Sequence, residues 1–161
     1  MNQNSQFVFD AGTLALDLLN TWRFDGDQAL DLLQSPEDVV TWLAAVGLPG
    51  DASFPELSSS PPNRRILLDE AIWLRQDILL IVQSLVDEEL PPPYTVHALN
   101  RILTESGTSF RLDSLIITSE EEQSEGMQDQ LVLNAHECAS SVLGVLQPIA
   151  LSAARIVTEA N

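Results

Sequence analysis

The segment LDLLNTW, residues 16–22, places one carboxylate, Asp17, in the middle of a strongly apolar run. Together with the two apolar residues before it, this segment predicts a helix over residues 14–22 that is buried on most sides. Thr13 stands where it can cap the start of that helix. Burying an unpaired charge is costly, so the rest of the fold is expected to bring a positive charge to Asp17.

The longest predicted helix, residues 63–89, carries such a charge on its apolar face. Its polar pairs recur every seven residues and leave an apolar arc that includes Leu68 and Leu79. At about 100° per residue, Arg75 projects inside this arc. The sequence therefore predicts that Arg75 is buried and lies close to the first helix.

Two interpretations of this arginine remain open. In the preferred one, Asp17 and Arg75 form a buried ion pair that fixes the register of the two helices, and Arg75→Ala destabilises the fold by about 3–5 kcal/mol. In the other, Arg75 lines a ligand-binding pocket together with Asp17, Asn20 and Trp42. The ligand would then be a small polar molecule or an anion.

The remaining periodicities complete a mainly helical pattern. The predicted elements are a strand at 7–9, a break at 25–27, a short helical turn at 28–33, a helix from Pro36 to Gly47 capped by Ser35, a loop at 47–62, a helix at 94–105, a hairpin at 109–133, and a last helical region that Asn134 opens and Pro148 kinks or divides. We predict an α+β fold that is predominantly α-helical, with a short N-terminal strand and a β-hairpin near residues 109–133. Residues 1–161 are expected to form a single domain.

The charge balance opposes one class of function. The chain has 24 acidic and 7 basic residues, all of the latter arginine, and a net charge of −17. Binding to a nucleic-acid backbone requires clustered basic residues that release counterions. We therefore expect no direct nucleic acid contact from this chain. The sequence has neither a secretion signal nor an apolar run long enough to span a membrane, so no membrane contact and a cytoplasmic location are expected.

Catalytic and metal-binding patterns are also missing from the sequence. The single cysteine, Cys138, excludes a cysteine-rich zinc site. His136 lies two residues from Cys138 and His97 stands apart, so neither histidine has a recognisable metal or nucleophile partner. No nucleophile elbow or phosphate-binding glycine loop occurs. We predict no enzymatic activity, no metal site and no cofactor.

A set of short motifs follows in order along the chain: Phe9 and Gly12, LDLLNT at 16–21, SPEDV at 35–39 with WL at 42–43, EAIWLR at 70–75, and LN at 99–100. In order and spacing these motifs resemble the ABATE domain. That domain is the N-terminal part of bacterial proteins whose C-terminal part is a CGNR zinc finger. Residues 146–156 resemble the helix that leads into the finger.

The resemblance implies a mainly helical fold with a small β component. It also implies the regulatory or sensory half of a stress-related transcription regulator, in which the zinc finger contacts DNA. The four-cysteine pattern of the finger is absent from these 161 residues. The chain is expected to be either an excised domain or a natural version without the finger, so zinc and DNA binding are not carried over to it.

Two functions are therefore weighed. The first is a ligand-sensing or regulatory module, which should hold a pocket reached by Asp17, Asn20, Trp42 or Arg75. The alternative is a protein-interaction scaffold, in the form of a homodimer, because Trp73 and Leu80 fall on the polar side of the long helix and need a cover. The first is the predicted function.

Overall fold

The computed structural model describes residues 7–48, 61–104, 108–117, 128–137 and 142–160. The elements in chain order are α1 (Leu14–Leu19), β1 (Trp22–Asp25), β2 (Gln28–Asp31), α2 (Pro36–Ala45), α3 (Pro61–Val86), α4 (Pro93–Leu103), β3 (Thr108–Ile117), β4 (Gln128–Glu137), a 3-10 helix (Val142–Leu146) and α5 (Gln147–Ala160). Helices predominate and the strands form two antiparallel hairpins. The predicted fold class is confirmed.

Helix α3 is the centre of the molecule. Helices α1, α2, α4 and α5 all contact it, and α5 also packs against α1 and α4. Apolar side chains from every one of these helices are removed from water, and each contributes roughly 1.5–3 kcal/mol by its burial. The largest fully buried side chains, all but Leu33 on these helices, are Trp42, Leu18, Leu33, Leu43, Leu67, Leu74, Ile78, Ile81, Leu99, Ile102 and Leu103.

Local capping signals place helix α2 as the sequence predicts. The Ser35 hydroxyl accepts a hydrogen bond from the Asp38 N–H, and the Asp38 carboxylate accepts one from the Ser35 N–H. Pro36 occupies the first turn, where its missing N–H costs nothing. Gly47 follows the helix with φ +76°, a conformation that glycine adopts without strain. The predicted start and end of α2 are thus confirmed.

The segment from residue 20 to residue 31 corrects the prediction. The first helix ends at Leu19, not at Trp22, and the predicted helical turn at 28–33 is instead strand β2, which ends at Asp31. Strands β1 and β2 pair with Trp22 opposite Asp31. Gly26, with φ +62°, takes the first central position of the connecting turn, as in a type II′ hairpin.

The first predicted strand is also wrong. Residues 7–10 have no regular secondary structure. The chain there carries aromatic side chains onto the core without pairing its backbone. The ring of Phe9 contacts that of Trp42 at 6.3 Å between centroids, and the ring of Phe7 lies 6.2 Å from that of Phe9.

The second hairpin confirms the predicted change of period after α4. Strands β3 and β4 pair from Thr108 opposite Glu137 to Ile117 opposite Gln128. Asn134 is therefore a strand residue and does not open the last helix. Pro148 lies in the first turn of α5 and marks the change from the 3-10 helix to the α-helix. Residues 49–60 of the loop predicted over 47–62 lie outside the described residues, as do residues 119–126 of the predicted hairpin and Cys138.

Candidate functional site

A cavity of about 680 Å³ lies between the β1–β2 hairpin and helix α3. Its walls come from three elements with simple periodicities. Trp22 and Phe24 are two residues apart on β1 and so share one face of the hairpin. The wall from α3 is built by residues at helical spacings of three and four. The lining residues are Leu19, Asn20, Trp22, Phe24, Asp31, Ile72, Arg75, Gln76 and Leu79.

An ion pair joins the two walls of the cavity. The Arg75 Nη1 donates to Asp31 Oδ1 at 2.7 Å, and Nη2 donates to Asp31 Oδ2 at 2.7 Å. This bidentate geometry is the strong form of an arginine–carboxylate contact. The arginine is the buried member, since its side chain is 9% exposed, whereas the Asp31 side chain is 36% exposed.

The surroundings of Asp31 keep it ionised. Burial acts to raise the pKa of this carboxyl, but hydrogen bonds from Arg75 and from the Leu33 N–H, together with the Arg75 charge, outweigh it. The resulting pKa lies below the ordinary value for aspartate. The site therefore contains one positive and one negative charge at neutral pH.

Thr21 ties the end of α1 to this ion pair. Its hydroxyl oxygen accepts a hydrogen bond from Arg75 Nη1 at 3.0 Å. The same hydroxyl donates to the Leu18 carbonyl of α1 at 2.6 Å, and the Thr21 N–H donates to that carbonyl at 3.2 Å. One buried side chain thus connects α1, β2 and α3 through Arg75.

A family comparison agrees with the motifs that carry Thr21 and Arg75. The ABATE family model, described as "Putative stress-induced transcription regulator", matches residues 12–160. The chain belongs to the ABATE family. No curated protein and no solved structure shows significant similarity to it. The resemblance read from the sequence is confirmed, and the family is one of transcription regulators, not of enzymes.

In this ABATE domain the structure brings together two of the four predicted ligand-binding residues, Asn20 and Arg75, which line the cavity. Asp17 lies elsewhere, and its carboxylate accepts a hydrogen bond from the Ala11 N–H at 3.1 Å. The preferred Asp17–Arg75 ion pair is therefore wrong. Because α1 ends early and the chain turns back as a hairpin, Asp31 reaches Arg75 instead.

Trp42 is not among the cavity-lining residues. Its side chain is 1% exposed and packs in the core against Phe9. The Trp42 Nε1–H has no hydrogen-bond partner among the residues that the structure describes. The side chain therefore serves the core and does not contact the cavity.

The helical turn predicted over residues 28–33 gives Asp31 no defined direction, so the sequence does not single it out as a partner of Arg75. A signal was present: Gly26 next to two aspartates is typical of a tight turn, and the two flanking segments are the length of short strands. Reading that turn as a hairpin would have placed Asp31 opposite Trp22.

A second polar cluster lies on another face of α3, toward α4. Arg101 forms an ion pair with the buried Glu70. Asp77, one heptad after Glu70, is half-buried. Burial raises the pKa of Asp77 to about 6, with Arg101 opposing the rise and Glu70 adding to it.

Two further features are absent from the described part of the chain. No cluster there of three or more histidine, cysteine, aspartate or glutamate side chains could hold a metal ion. No helix there is both long and apolar enough to cross a membrane.

Proposed function

We propose that this ABATE domain is a ligand-sensing or regulatory module of a transcription regulator and that the cavity between the hairpin and α3 is its sensor site. The observation that carries the proposal is the composition of the cavity. Five apolar or aromatic side chains surround a few convergent polar groups, and a volume of about 680 Å³ is typical of small-molecule sites.

The contacts of the cavity suggest how occupancy would reach the rest of the fold. Arg75 connects the hairpin to α3 and, through Thr21, to the end of α1. Helix α1 in turn packs on α5, where the Ser152 hydroxyl accepts a hydrogen bond from the Ala15 N–H at 3.3 Å. A ligand that binds one position of the hairpin better than another would shift α1 and α5 with it.

The proposal is tested by filling the cavity. Leu79→Trp places a bulky ring in the cavity, and Val86→Trp, at the exposed end of the same helix, is the matched control. A set of neutral, anionic and cationic small aromatic compounds is screened for a rise in melting temperature. A ligand at a free concentration of one hundred times its Kd stabilises a protein by about 2.7 kcal/mol.

We expect at least one compound to raise the melting temperature of the wild type and of Val86→Trp, but not of Leu79→Trp. If no compound binds, or if binding survives in Leu79→Trp, the cavity is not a sensor site.

We further propose that this chain does not itself bind DNA. Its net charge of −17 produces repulsion from phosphates over most of the surface. Fluorescence anisotropy with a labelled duplex in 50 mM salt should show no binding at micromolar protein. Saturable binding under these conditions would contradict the proposal.

One observation favours the scaffold function as a second candidate. Trp73 is 56% exposed on α3, outside the cavity, and Leu80 one heptad later is partly exposed. A homodimer that covers Trp73 should show a concentration-dependent mass by light scattering. Trp73→Glu should abolish that dependence, whereas Tyr94→Glu, at a comparably exposed aromatic residue on α4, should not.

A further inference from the structure

The Arg75 guanidinium has donors that no described residue accepts from. Arginine carries five N–H groups in a rigid plane. Nη1 donates one hydrogen to Asp31 and the other to Thr21, and Nη2 donates one hydrogen to Asp31. The Nε–H and the second Nη2–H have no partner among the described residues. They belong to a side chain that is 91% buried, since its exposure is 9%.

These two unused donors form a geometric unit. In a guanidinium, Nη1 lies on the same side as Cδ, so its outer hydrogen points back along the side chain, here to Thr21. The Nε–H and the outer Nη2–H point together from the opposite edge. They form a second parallel fork of the kind that binds a carboxylate in a bidentate manner. The fork belongs to a residue that lines the cavity.

We propose that this fork is the head-group site of the cavity and that the ligand is a small monocarboxylate with an apolar, flat body. The inference rests on the sensor function proposed for the cavity. Asn20 and Gln76 line the same cavity, and their amide side chains have no hydrogen-bond partner among the described residues. Either amide can donate to a carboxylate held on the fork.

Charge selects a monoanion over a phosphate ester. Arg75 and Asp31 neutralise each other, so a carboxylate on the second fork leaves the guanidinium between two carboxylates. A dianion would add a second negative charge to a protein whose net charge is −17. The remote acids are screened beyond about 8–10 Å at ordinary ionic strength, which makes one added charge tolerable.

The apolar walls select the body of the ligand. On the hairpin wall, the ring centroids of Trp22 and Phe24 lie 5.9 Å apart and the two ring planes are tilted by 53°. Ile72 and Leu79 stand on the helix wall. Phe24 is 66% exposed, although exposing large aromatic rings is unfavourable. A flat ring between these walls would cover exposed aromatic surface while its carboxylate reaches Arg75.

Three probes of one shape test the class of head group. Benzoate, benzamide and benzylamine are titrated by calorimetry at neutral pH. We expect benzoate to bind at least about tenfold more tightly than either of the other two. In 15N spectra of the arginine side chains, benzoate should shift the Nε–H signal of Arg75, because a new acceptor contacts that hydrogen.

Variants locate the interaction. Arg75→Lys keeps the charge but lacks the fork, so the preference for benzoate over benzamide should fall to less than twofold. Gln76→Leu should weaken benzoate binding several-fold, whereas Gln83→Leu, an exposed glutamine one heptad later and outside the cavity, should not. If Arg75→Lys does not fold, the Nε–H shift of the wild type and the Gln76 pair still decide the proposal.

The outcomes separate the two proposals. Equal binding of benzoate and benzamide, or tighter binding of benzylamine, overturns the carboxylate class but leaves the cavity as a sensor site. Benzoate binding without a shift of the Arg75 Nε–H signal also overturns it. If none of the three probes binds and no other compound fills the cavity, the sensor function itself is wrong.

Discussion

Replacing Asp31 by asparagine is expected to destabilise the protein more than replacing Arg75 by methionine. The two residues share an ion pair but differ in their access to water, since the Arg75 side chain is 9% exposed and the Asp31 side chain is 36% exposed. An uncompensated charge is costly when it cannot be hydrated. The variant that leaves the arginine alone should therefore be the worse one.

The structure allows the magnitudes to be ordered. In Arg75→Met the apolar stem remains, and the Asp31 carboxylate keeps its hydrogen bond from the Leu33 N–H and gains water. We expect a loss of about 1–2 kcal/mol, the cost of exchanging charged hydrogen bonds for hydration. In Asp31→Asn the guanidinium loses its counter-charge, and breaking a buried pair in this way costs about 3 kcal/mol or more.

Urea unfolding of the wild type, both single variants and the double variant measures these values. The double variant should be less destabilised than Asp31→Asn alone, because no charge is left unpaired. Asp17→Asn is the control. It should cost about 1 kcal/mol for its weakened contact with Ala11, and that cost should add to the cost of Arg75→Met within about 0.5 kcal/mol.

Two results would refute this reasoning. The first is a larger loss of unfolding free energy in Arg75→Met than in Asp31→Asn. The cost of breaking the pair would then not be set by the burial of the guanidinium. The second is strong coupling between Asp17 and Arg75, which would restore the ion pair that the structure excludes.

Three further perturbations test other parts of the fold. The pKa of Asp77 is raised to about 6 in the folded state, so its contribution to stability is fully present below the unfolded value near 3.8 and is lost as the pH rises through 6. In urea unfolding, Asp77→Asn should therefore stabilise the protein by about 1 kcal/mol at pH 8 and should have no effect at pH 3.5. The value at pH 8 is reduced to allow for the partial hydration of Asp77. Ser35→Ala removes the hydroxyl that accepts from the Asp38 N–H and should cost about 1 kcal/mol in the same assay, with Ser35→Thr nearly neutral. Gly26→Ala forces an alanine to φ +62° and should lower stability by about 1–2 kcal/mol, visible as a lower melting temperature, while an alanine at Asp27, where φ is not positive, should cost less.

Local signals in the sequence were sufficient for some elements. The capping box of Ser35 and Asp38 involves residues three apart, so its energy depends little on the rest of the fold. The burial of Arg75 was predicted for a similar reason, since the face of a helix follows from residue spacing alone. In both cases the information lies within a few turns of one helix.

The partner of Arg75 could not be deduced in the same way. Strands of four residues are too short for an alternating pattern to separate them from a turn of helix. The β1–β2 hairpin is defined by its pairing and by the turn at Gly26, not by the composition of either strand. A helical turn at residues 28–33 leaves the direction of the Asp31 side chain undefined, and Asp17 is then the acid predicted to pair with Arg75.

Two of the motifs that carry the family resemblance meet at this site. Thr21 is the last residue of LDLLNT and Arg75 is the last of EAIWLR, and the Arg75 Nη1 donates to the Thr21 hydroxyl. The polar residues of the first motif make different contacts. Asp17 binds the backbone at Ala11, before the helix begins, while Asn20 and Thr21 face the cavity and the ion pair.

Arg75 therefore need not be assigned to the fold or to a ligand alone. One edge of its guanidinium is occupied by Asp31 and Thr21, and those contacts fix the hairpin and α1 on α3. The opposite edge, under the proposal for the cavity, is left for a carboxylate. A ligand that binds this edge contacts the same guanidinium that holds the hairpin. Its binding energy therefore acts directly on the contacts between α1, β2 and α3. A sensor of this kind requires no separate coupling pathway, because the residue that holds the elements together is also the one that the ligand touches.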